Sequence, residues 1–149
     1  MSMLDVRNLR KSFRTADAFG RSKGQLVAVD NVSFSLEKGE TLGLVGESGC
    51  GKSTTGKLIM QLQQADQGEV LFNGTDLTGL NARQLRPYRR QVQMIFQDPF
   101  SSLNPRMTVG EILSEPFIIH KLAPSREIRD NVVQLLGKVG LTAEHERRY

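Results

Sequence analysis

A glycine-rich stretch of eight residues constrains the fold of this chain more than any other feature. The segment GESGCGKS, residues 46–53, places glycine at positions 46, 49 and 51 and ends in Lys52 and Ser53. Glycine permits backbone angles that other residues avoid, so such a loop can turn several N–H groups towards one point. The apolar run TLGLV, residues 41–45, predicts a preceding strand buried on both faces. The spacing of Leu58, Ile59 and Leu62 predicts a following helix.

A strand, this loop and a helix together match the phosphate-binding P-loop pattern GxxxxGK[ST] without a mismatch. The helix N-terminus adds a positive dipole end. Lys52 can reach the β- and γ-phosphates and the Ser53 hydroxyl can ligate Mg²⁺, whereas Cys50 is interpreted as a small filler. The nucleotide-binding residues predicted from the loop are Gly46, Glu47, Ser48, Gly49, Cys50, Gly51, Lys52, Ser53 and Thr54.

The first hundred residues are rich in strand signals. Alternating apolar residues predict strands over 4–9 and 26–36, and a β-rich stretch predicts another over 69–72, followed by a tight turn at Asn73-Gly74. Residues 92–96 predict one more strand. Residues 15–25, with two glycines and several charges, predict a surface loop.

The remainder of the chain is mainly helical. Asn81 predicts a cap for a short helix over 82–85, and Thr108 with Glu111 forms a capping-box pattern opening a helix that Pro116 should limit. Ser125 is predicted to cap a longer helix that ends before Gly140. The predicted apolar stripe of this longer helix comprises Ile128, Val132, Leu135, Leu136 and Val139.

Composition narrows the functional classes. The single cysteine excludes an intramolecular disulfide and fits a reducing cytosol, and no apolar run is long enough to span a bilayer. The net charge of +4 is mildly basic. A nucleic-acid partner is not predicted, because aromatic residues make up only 6% of the chain and tryptophan is absent.

The P-loop followed by QDPFSSLNPRMTV, residues 97–109, resembles the nucleotide-binding subunits of ABC transporters. Within that family the two segments are similar to those of oligopeptide, dipeptide and nickel importers. The resemblance implies an α/β P-loop NTPase fold in incomplete form: an antiparallel β piece, a partial parallel sheet and the start of a helical subdomain. Residues 1–149 would then be the N-terminal part of one nucleotide-binding domain, with a β-rich core over 1–100 and the helical subdomain from 101.

The same resemblance implies roles for two further residues. Gln97 matches the glutamine that contacts the Mg²⁺ site and couples nucleotide state to the membrane subunits. Phe13 matches the aromatic residue that stacks on adenine, for which a core phenylalanine is the alternative. The implied cofactors are ATP and Mg²⁺. The implied partners are transmembrane permease subunits, a second ATP-binding subunit, identical or different, and indirectly an extracytoplasmic substrate-binding protein. The implied location is peripheral, at the cytoplasmic face of the bacterial inner membrane.

Family members carry further motifs: a Ser-Gly-Gly-Gln signature, a strand ending in Asp-Glu, and a switch histidine. None of these follows residue 109 in this sequence. We therefore expect an intact family member to be an ATP hydrolase coupled to import, assign no catalytic residue here, and expect the 149-residue chain alone to be inactive. The alternatives are a non-catalytic nucleotide-binding fragment and another P-loop NTPase or kinase.

Overall fold

The computed structural model describes residues 2–16, 22–98 and 102–149. The chain divides into two compact units, Met1–Met94 and Ile95–Tyr149. The sequence predicts a change of character at residue 100, a few residues after this division.

The first unit contains an antiparallel four-stranded sheet in the order β2-β1-β3-β4. Its strands are β1 (Leu4–Ala16), β2 (Ser22–Leu36), β3 (Gln67–Phe72) and β4 (Thr75–Asp76). The strands predicted over 4–9, 26–36 and 69–72 are confirmed, as is the tight turn at Asn73-Gly74. The loop predicted over 15–25 is wrong at both ends, because continued pairing carries β1 and β2 into it; residues 17–21 lie outside the described residues.

A β-bulge interrupts the pairing of β1 with β2. Lys11 pairs with Val29 and Ser12 pairs with Val27, which leaves Ala28 on β2 without a partner on β1. A bulge bends its strand and strengthens the local twist. The Ala28 carbonyl at this bulge lies against Gly51 of the glycine loop.

The glycine loop leads into α1 (Lys52–Ile59), which packs on one face of the sheet. Leu58 is fully buried there and belongs to one apolar cluster with residues of β1, β2 and β3. Burying a leucine side chain stabilises a fold by about 1.5–3 kcal/mol. The strand residues of this cluster are Val6, Leu9, Val29 and Val70. The predicted helical stripe is correct for Leu58 and Ile59, but α1 ends before Leu62, which is 52% exposed.

A second apolar cluster lies beside β3. Phe72 meets the Tyr88 ring edge-on with the ring centres 6.4 Å apart. Leu85 is buried in this cluster at the end of α2 (Ala82–Leu85). The predicted Asn81 cap is confirmed, since its side chain accepts hydrogen bonds from the backbone N–H groups of Arg83 and Gln84.

Two strands predicted from apolar runs are not formed. Residues 41–45 and 92–96 carry no strand pairing within the described residues. Val45 is 91% exposed and Ile95 is 90% exposed. An apolar run becomes a strand only when a neighbouring strand satisfies its backbone N–H and C=O groups, and neither segment has such a neighbour among the described residues. The predicted partial parallel sheet is therefore not observed among the described residues.

The described residues of the second unit contain two α-helices and a final 3₁₀ helix, Ala143–Arg147. Helix α3 (Val109–His120) begins at the predicted capping box, in which Thr108 and Glu111 exchange hydrogen bonds. The prediction that Pro116 limits this helix is wrong. Proline removes one helical hydrogen bond, but the helix has already been started by its capping box and continues to His120.

Helix α4 (Ser125–Lys138) also differs from its prediction at the start. Pro124 occupies the capping position and Ser125 is the first helical residue, because the chain turns into the helix one residue earlier than expected. The predicted end is confirmed: Gly140 has φ 77°, and the Leu141 N–H bonds the Leu136 carbonyl. Val132 and Leu136 are buried, whereas Leu135 and Val139 lie off this line and are exposed, so the apolar stripe is narrower than predicted.

Candidate functional site

The glycine loop joins the sheet to α1 at a point of close backbone contact. Gly51 has φ 97° and stands at the capping position of α1. A Cβ on this residue would overlap the carbonyl oxygen of Ala28, the bulge residue of β2. Only glycine satisfies both the backbone angle and the contact. The bulge therefore fixes where the loop enters the helix.

Gly46 at the other end of the loop is constrained by a side chain. A Cβ on Gly46 would lie 2.6 Å from the Cys50 Sγ atom. The Cys50 backbone N–H donates to the Glu47 carbonyl at 3.3 Å, which closes a turn inside the loop. The cysteine is exposed, and its Sγ atom lies beside Gly46.

Lys52 folds its side chain back over the loop. Its Nζ atom donates to the carbonyl oxygens of Gly46 at 2.7 Å and Glu47 at 2.6 Å, and lies 3.4 Å from the Cys50 Sγ. The ammonium group is therefore held at the centre of the loop. A cation in this position can exchange carbonyl oxygens for the more strongly charged oxygens of a phosphate chain.

The N-terminus of α1 leaves its first backbone N–H groups available. No side chain caps the helix and no acidic residue occupies its first turn. The first N–H groups of a helix have no partner within it, and together with the helix dipole they favour an anion. Ser53 is exposed and Thr54 half-buried at this end. Thr55 is buried and its hydroxyl donates to the Gly51 carbonyl at 3.1 Å.

Phe13 lies on the strand that pairs with the bulged segment. It is half-buried and pairs with Leu26, two residues before Ala28 on β2. Two residues of a strand span about 7 Å. The ring is thus carried by the same part of the sheet that contacts Gly51. Neither of the buried clusters formed by the described residues includes Phe13. Its base-stacking role, with a core phenylalanine as the alternative, stays a prediction.

Gln97 lies in the second unit, where it is exposed in a bend. Its contact with the Mg²⁺ site stays a prediction. Residues 99–101 of the segment that carries the resemblance are outside the described residues. Across 2–16, 22–98 and 102–149, no three His, Cys, Asp or Glu side chains come together as a metal cluster would require.

Sequence reasoning missed a polar cluster beside Phe13. Asp66 accepts hydrogen bonds from the Lys11 Nζ at 2.8 Å and from both the backbone N–H and the hydroxyl of Ser12 at 2.7 Å. These bonds, that of Lys11 foremost, hold the pKa of Asp66 well below its usual range. Lys11 and Phe13 share a strand face by the period of two, which is a signal that could have been noticed. Asp66 is distant in sequence and gives no such signal.

The chain resembles proteins of one family over most of its length. The sequence profile described as ABC transporter matches residues 29–149, more than half of the chain. The chain belongs to the ABC transporter family. It is 51% identical over 149 residues to the oligopeptide transport ATP-binding protein OppF of Bacillus subtilis (strain 168), covering 99% of this chain and 47% of that protein. It is 47% identical over 148 residues to the glutathione import ATP-binding protein GsiA of Salmonella typhimurium, covering 99% of this chain and 24% of that protein. The chain thus spans under half the length of these ABC relatives.

A solved ABC structure shows the same fold. The ATP-binding cassette MJ0796, in a dimeric post-hydrolysis state bound to ADP and Pi, superposes with a TM-score of 0.80 at 24% identity, covering 98% of this chain and 61% of that one. The predicted fold class, an incomplete ABC nucleotide-binding domain, is confirmed at this level. None of the helices in the described part of the chain has the length and apolar character needed to cross a bilayer.

Proposed function

We propose that this chain supplies the nucleotide-binding part of an ABC importer subunit that uses ATP to drive uptake of peptides or related small solutes. The observation that carries the proposal is the Lys52 ammonium, held by two loop carbonyls beside the uncapped N-terminus of α1. The proteins named for oligopeptide transport and glutathione import, at 51% and 47% identity, support the substrate class.

The residues of the loop have separate roles in this proposal. The backbone N–H groups of residues 46–54 and the α1 N-terminus bind the phosphate oxygens. Lys52 turns from the Gly46 and Glu47 carbonyls to the β- and γ-phosphates. The exposed Ser53 hydroxyl is the ligand that this loop would offer to Mg²⁺, and the ion would neutralise negative charge on the phosphate oxygens. Phe13 stacks on adenine, and Gln97 reaches the Mg²⁺ site.

The remaining chemistry requires groups that we do not assign to residues 1–149. Phosphoryl transfer needs a residue that positions the attacking water and a cation or dipole for the developing charge. In an intact subunit we propose that nucleotide binding and hydrolysis drive transmembrane permease subunits at the cytoplasmic face of the membrane. A second ATP-binding subunit would face the loop, and an extracytoplasmic binding protein would deliver the solute.

Titration calorimetry with ATP and Mg²⁺ tests the loop assignment. Lys52→Ala in the intact subunit should abolish detectable ATP binding with an unchanged circular dichroism spectrum, because it removes the only charged donor inside the described loop. Lys57→Ala is the matched control, since Lys57 lies in the last turn of the same helix and should keep its affinity. Equal affinity in parent and Lys52→Ala would refute the assignment.

A further inference from the structure

Asp66 fixes a short stretch of β1 by both backbone and side-chain bonds. Its backbone N–H donates to the Arg10 carbonyl at 2.9 Å, and its carboxylate accepts from Ser12 and Lys11 at 2.7–2.8 Å. Three consecutive residues of β1 are thus bonded to one aspartate. They adjoin the step at which the pairing of β1 with β2 shifts around Ala28.

Lys11 connects this aspartate to the aromatic ring. Its Nζ lies over the Phe13 ring, 5.7 Å from the ring centre, while it bonds the Asp66 carboxylate. This distance is within the range of a cation–π interaction. The Lys11 side chain is only 18% exposed, so its methylene groups are largely packed. Because the ammonium lies over one face of the ring, a base would have to stack on the other face.

We propose that Asp66, acting through Lys11, is a positioning residue that holds the Phe13 ring in place to stack on the base of a bound nucleotide. The inference rests on the function proposed above and extends it to two residues. Asp66 holds the Lys11 ammonium by a hydrogen bond, and the ammonium holds the Phe13 ring by a cation–π contact. The bulge at Ala28 places the same strands in contact with Gly51. The distance between the base site and the phosphate site is thereby set before a nucleotide arrives.

Preorganisation of this kind acts on affinity through entropy. Ordering one side chain at a binding site costs about 0.5–1.5 kcal/mol, which corresponds to about a two- to tenfold change in affinity. A ring already held by Lys11 avoids this cost. The effect concerns the base alone, because inorganic triphosphate uses the loop but has nothing to stack on Phe13.

The test compares Kd values for ATP and for inorganic triphosphate, both with Mg²⁺, in the intact subunit. The variants are Asp66→Asn, Lys11→Met, Lys11→Arg and Phe13→Ala. Asp66→Asn and Lys11→Met should each weaken ATP binding about two- to tenfold relative to triphosphate, and Lys11→Arg should retain the parent ratio. Asp66→Asn removes a negative charge and Lys11→Met a positive one. A general charge effect would change the affinity for triphosphate in opposite directions in these two variants. Lost positioning would instead lower the ratio of ATP affinity to triphosphate affinity in both variants.

A double-mutant cycle separates positioning from structural damage. With Phe13→Ala already present, Asp66→Asn should cause no further loss of ATP affinity, since there is no ring left to position. Asp5→Asn is the matched control, because Asp5 forms an ion pair with Arg7 at 2.6 Å on the same strand, away from Phe13; it should leave the ratio unchanged. A loss that persists without the ring, or that affects both ligands equally, would overturn the inference.

The failure of the proposed function gives a different pattern. If the parent binds neither ATP nor triphosphate, the nucleotide assignment itself is wrong and the positioning role falls with it. If the parent binds both and Phe13→Ala leaves the ratio intact, the stacking role of Phe13 is refuted and so is its positioning. If Phe13→Ala lowers the ratio while Asp66→Asn and Lys11→Met do not, only the positioning role is refuted.

Discussion

No side chain fits between Gly51 and the carbonyl oxygen of Ala28, because a Cβ built on Gly51 would overlap that oxygen. The glycine is thus required twice, for its φ of 97° and for this contact. The glycine loop is thereby in close contact with the backbone of β2.

Gly51→Ala should destabilise the first unit and weaken nucleotide binding. A non-glycine residue in the left-handed region costs about 1–3 kcal/mol, and relief of the overlap must move either β2 or α1. Urea unfolding measures the loss. Gly79→Ala is the control, since a Cβ there meets no atom within 4 Å and its φ is not in the left-handed region; the two variants should not unfold at the same midpoint.

Gln97→Ala in the intact subunit should keep ATP affinity and reduce transport-coupled ATP hydrolysis. Residues 97–109 resemble the segment that couples nucleotide state to the membrane subunits in the family, so we expect the substitution to affect coupling and not nucleotide affinity. Hydrolysis and solute uptake are measured with the permease in vesicles. Gln93→Ala, which alters an exposed glutamine of the first unit, provides the comparison. Unaltered uptake in Gln97→Ala would contradict the role.

Purified residues 1–149 should release no phosphate from ATP, even where they bind it. Glu47 is an exposed side chain of the loop at a position that the P-loop pattern leaves free, and no other residue of this chain is assigned to position water. A phosphate-release assay beside Lys52→Ala checks this, because the variant reveals contaminating ATPases. Magnesium-dependent turnover above that control would show that the chain contains a base.

Acid should destabilise the second unit through Glu146. Hydrogen bonding from Arg129, whose Nη2 lies 2.7 Å from the Glu146 carboxylate, lowers the pKa of Glu146. A carboxylate with a lowered folded-state pKa contributes stability above the unfolded pKa of about 4.3, and this stability is lost as the pH falls through the folded-state pKa.

Glu146→Gln should therefore unfold at a lower denaturant concentration than the parent at pH 7, and the difference should shrink as the pH falls below about 4. Midpoints measured between pH 7 and pH 2.5 test this. Glu144→Gln makes the same charge change on the same turn without removing the partner of Arg129. A constant difference between Glu146→Gln and the parent across this range would exclude the ion pair as its source.

Local sequence signals predicted the parts of the fold that local physics determines. The alternation in β1 and the capping patterns at Asn81 and Thr108 are short-range features, and the structure confirms them. The strands predicted over 41–45 and 92–96 failed because an apolar run does not reveal whether a pairing partner exists. The prediction at Pro116 failed for another reason. Proline removes one helical hydrogen bond, but the helix begins at the capping box of Thr108 and Glu111 and continues past Pro116 to His120.

Some residues of the candidate site could be predicted from local sequence, and others could not. The P-loop pattern lies within eight residues, so its members could be named from the sequence. Asp66 could not, because it lies 55 residues from Lys11 and meets it only when β1 and β3 form. The bulge at Ala28 was equally hidden, since it is a property of the register between two strands and not of either strand alone.

The bulge at Ala28 constrains the number of residues in β2 as well as their types. Successive strand residues point to opposite faces, so one unpaired residue reverses the parity of everything beyond it. Val29 is buried with Leu58 of α1, and its face of the sheet depends on the single unpaired residue, Ala28, that precedes it on β2. Deleting or inserting a single residue between Val27 and Val29 would exchange the inner and outer faces of one half of β2 relative to the other. A one-residue change in length at this bulge should therefore disturb the pairing of β1 and β2 more than the substitution of a single exposed side chain.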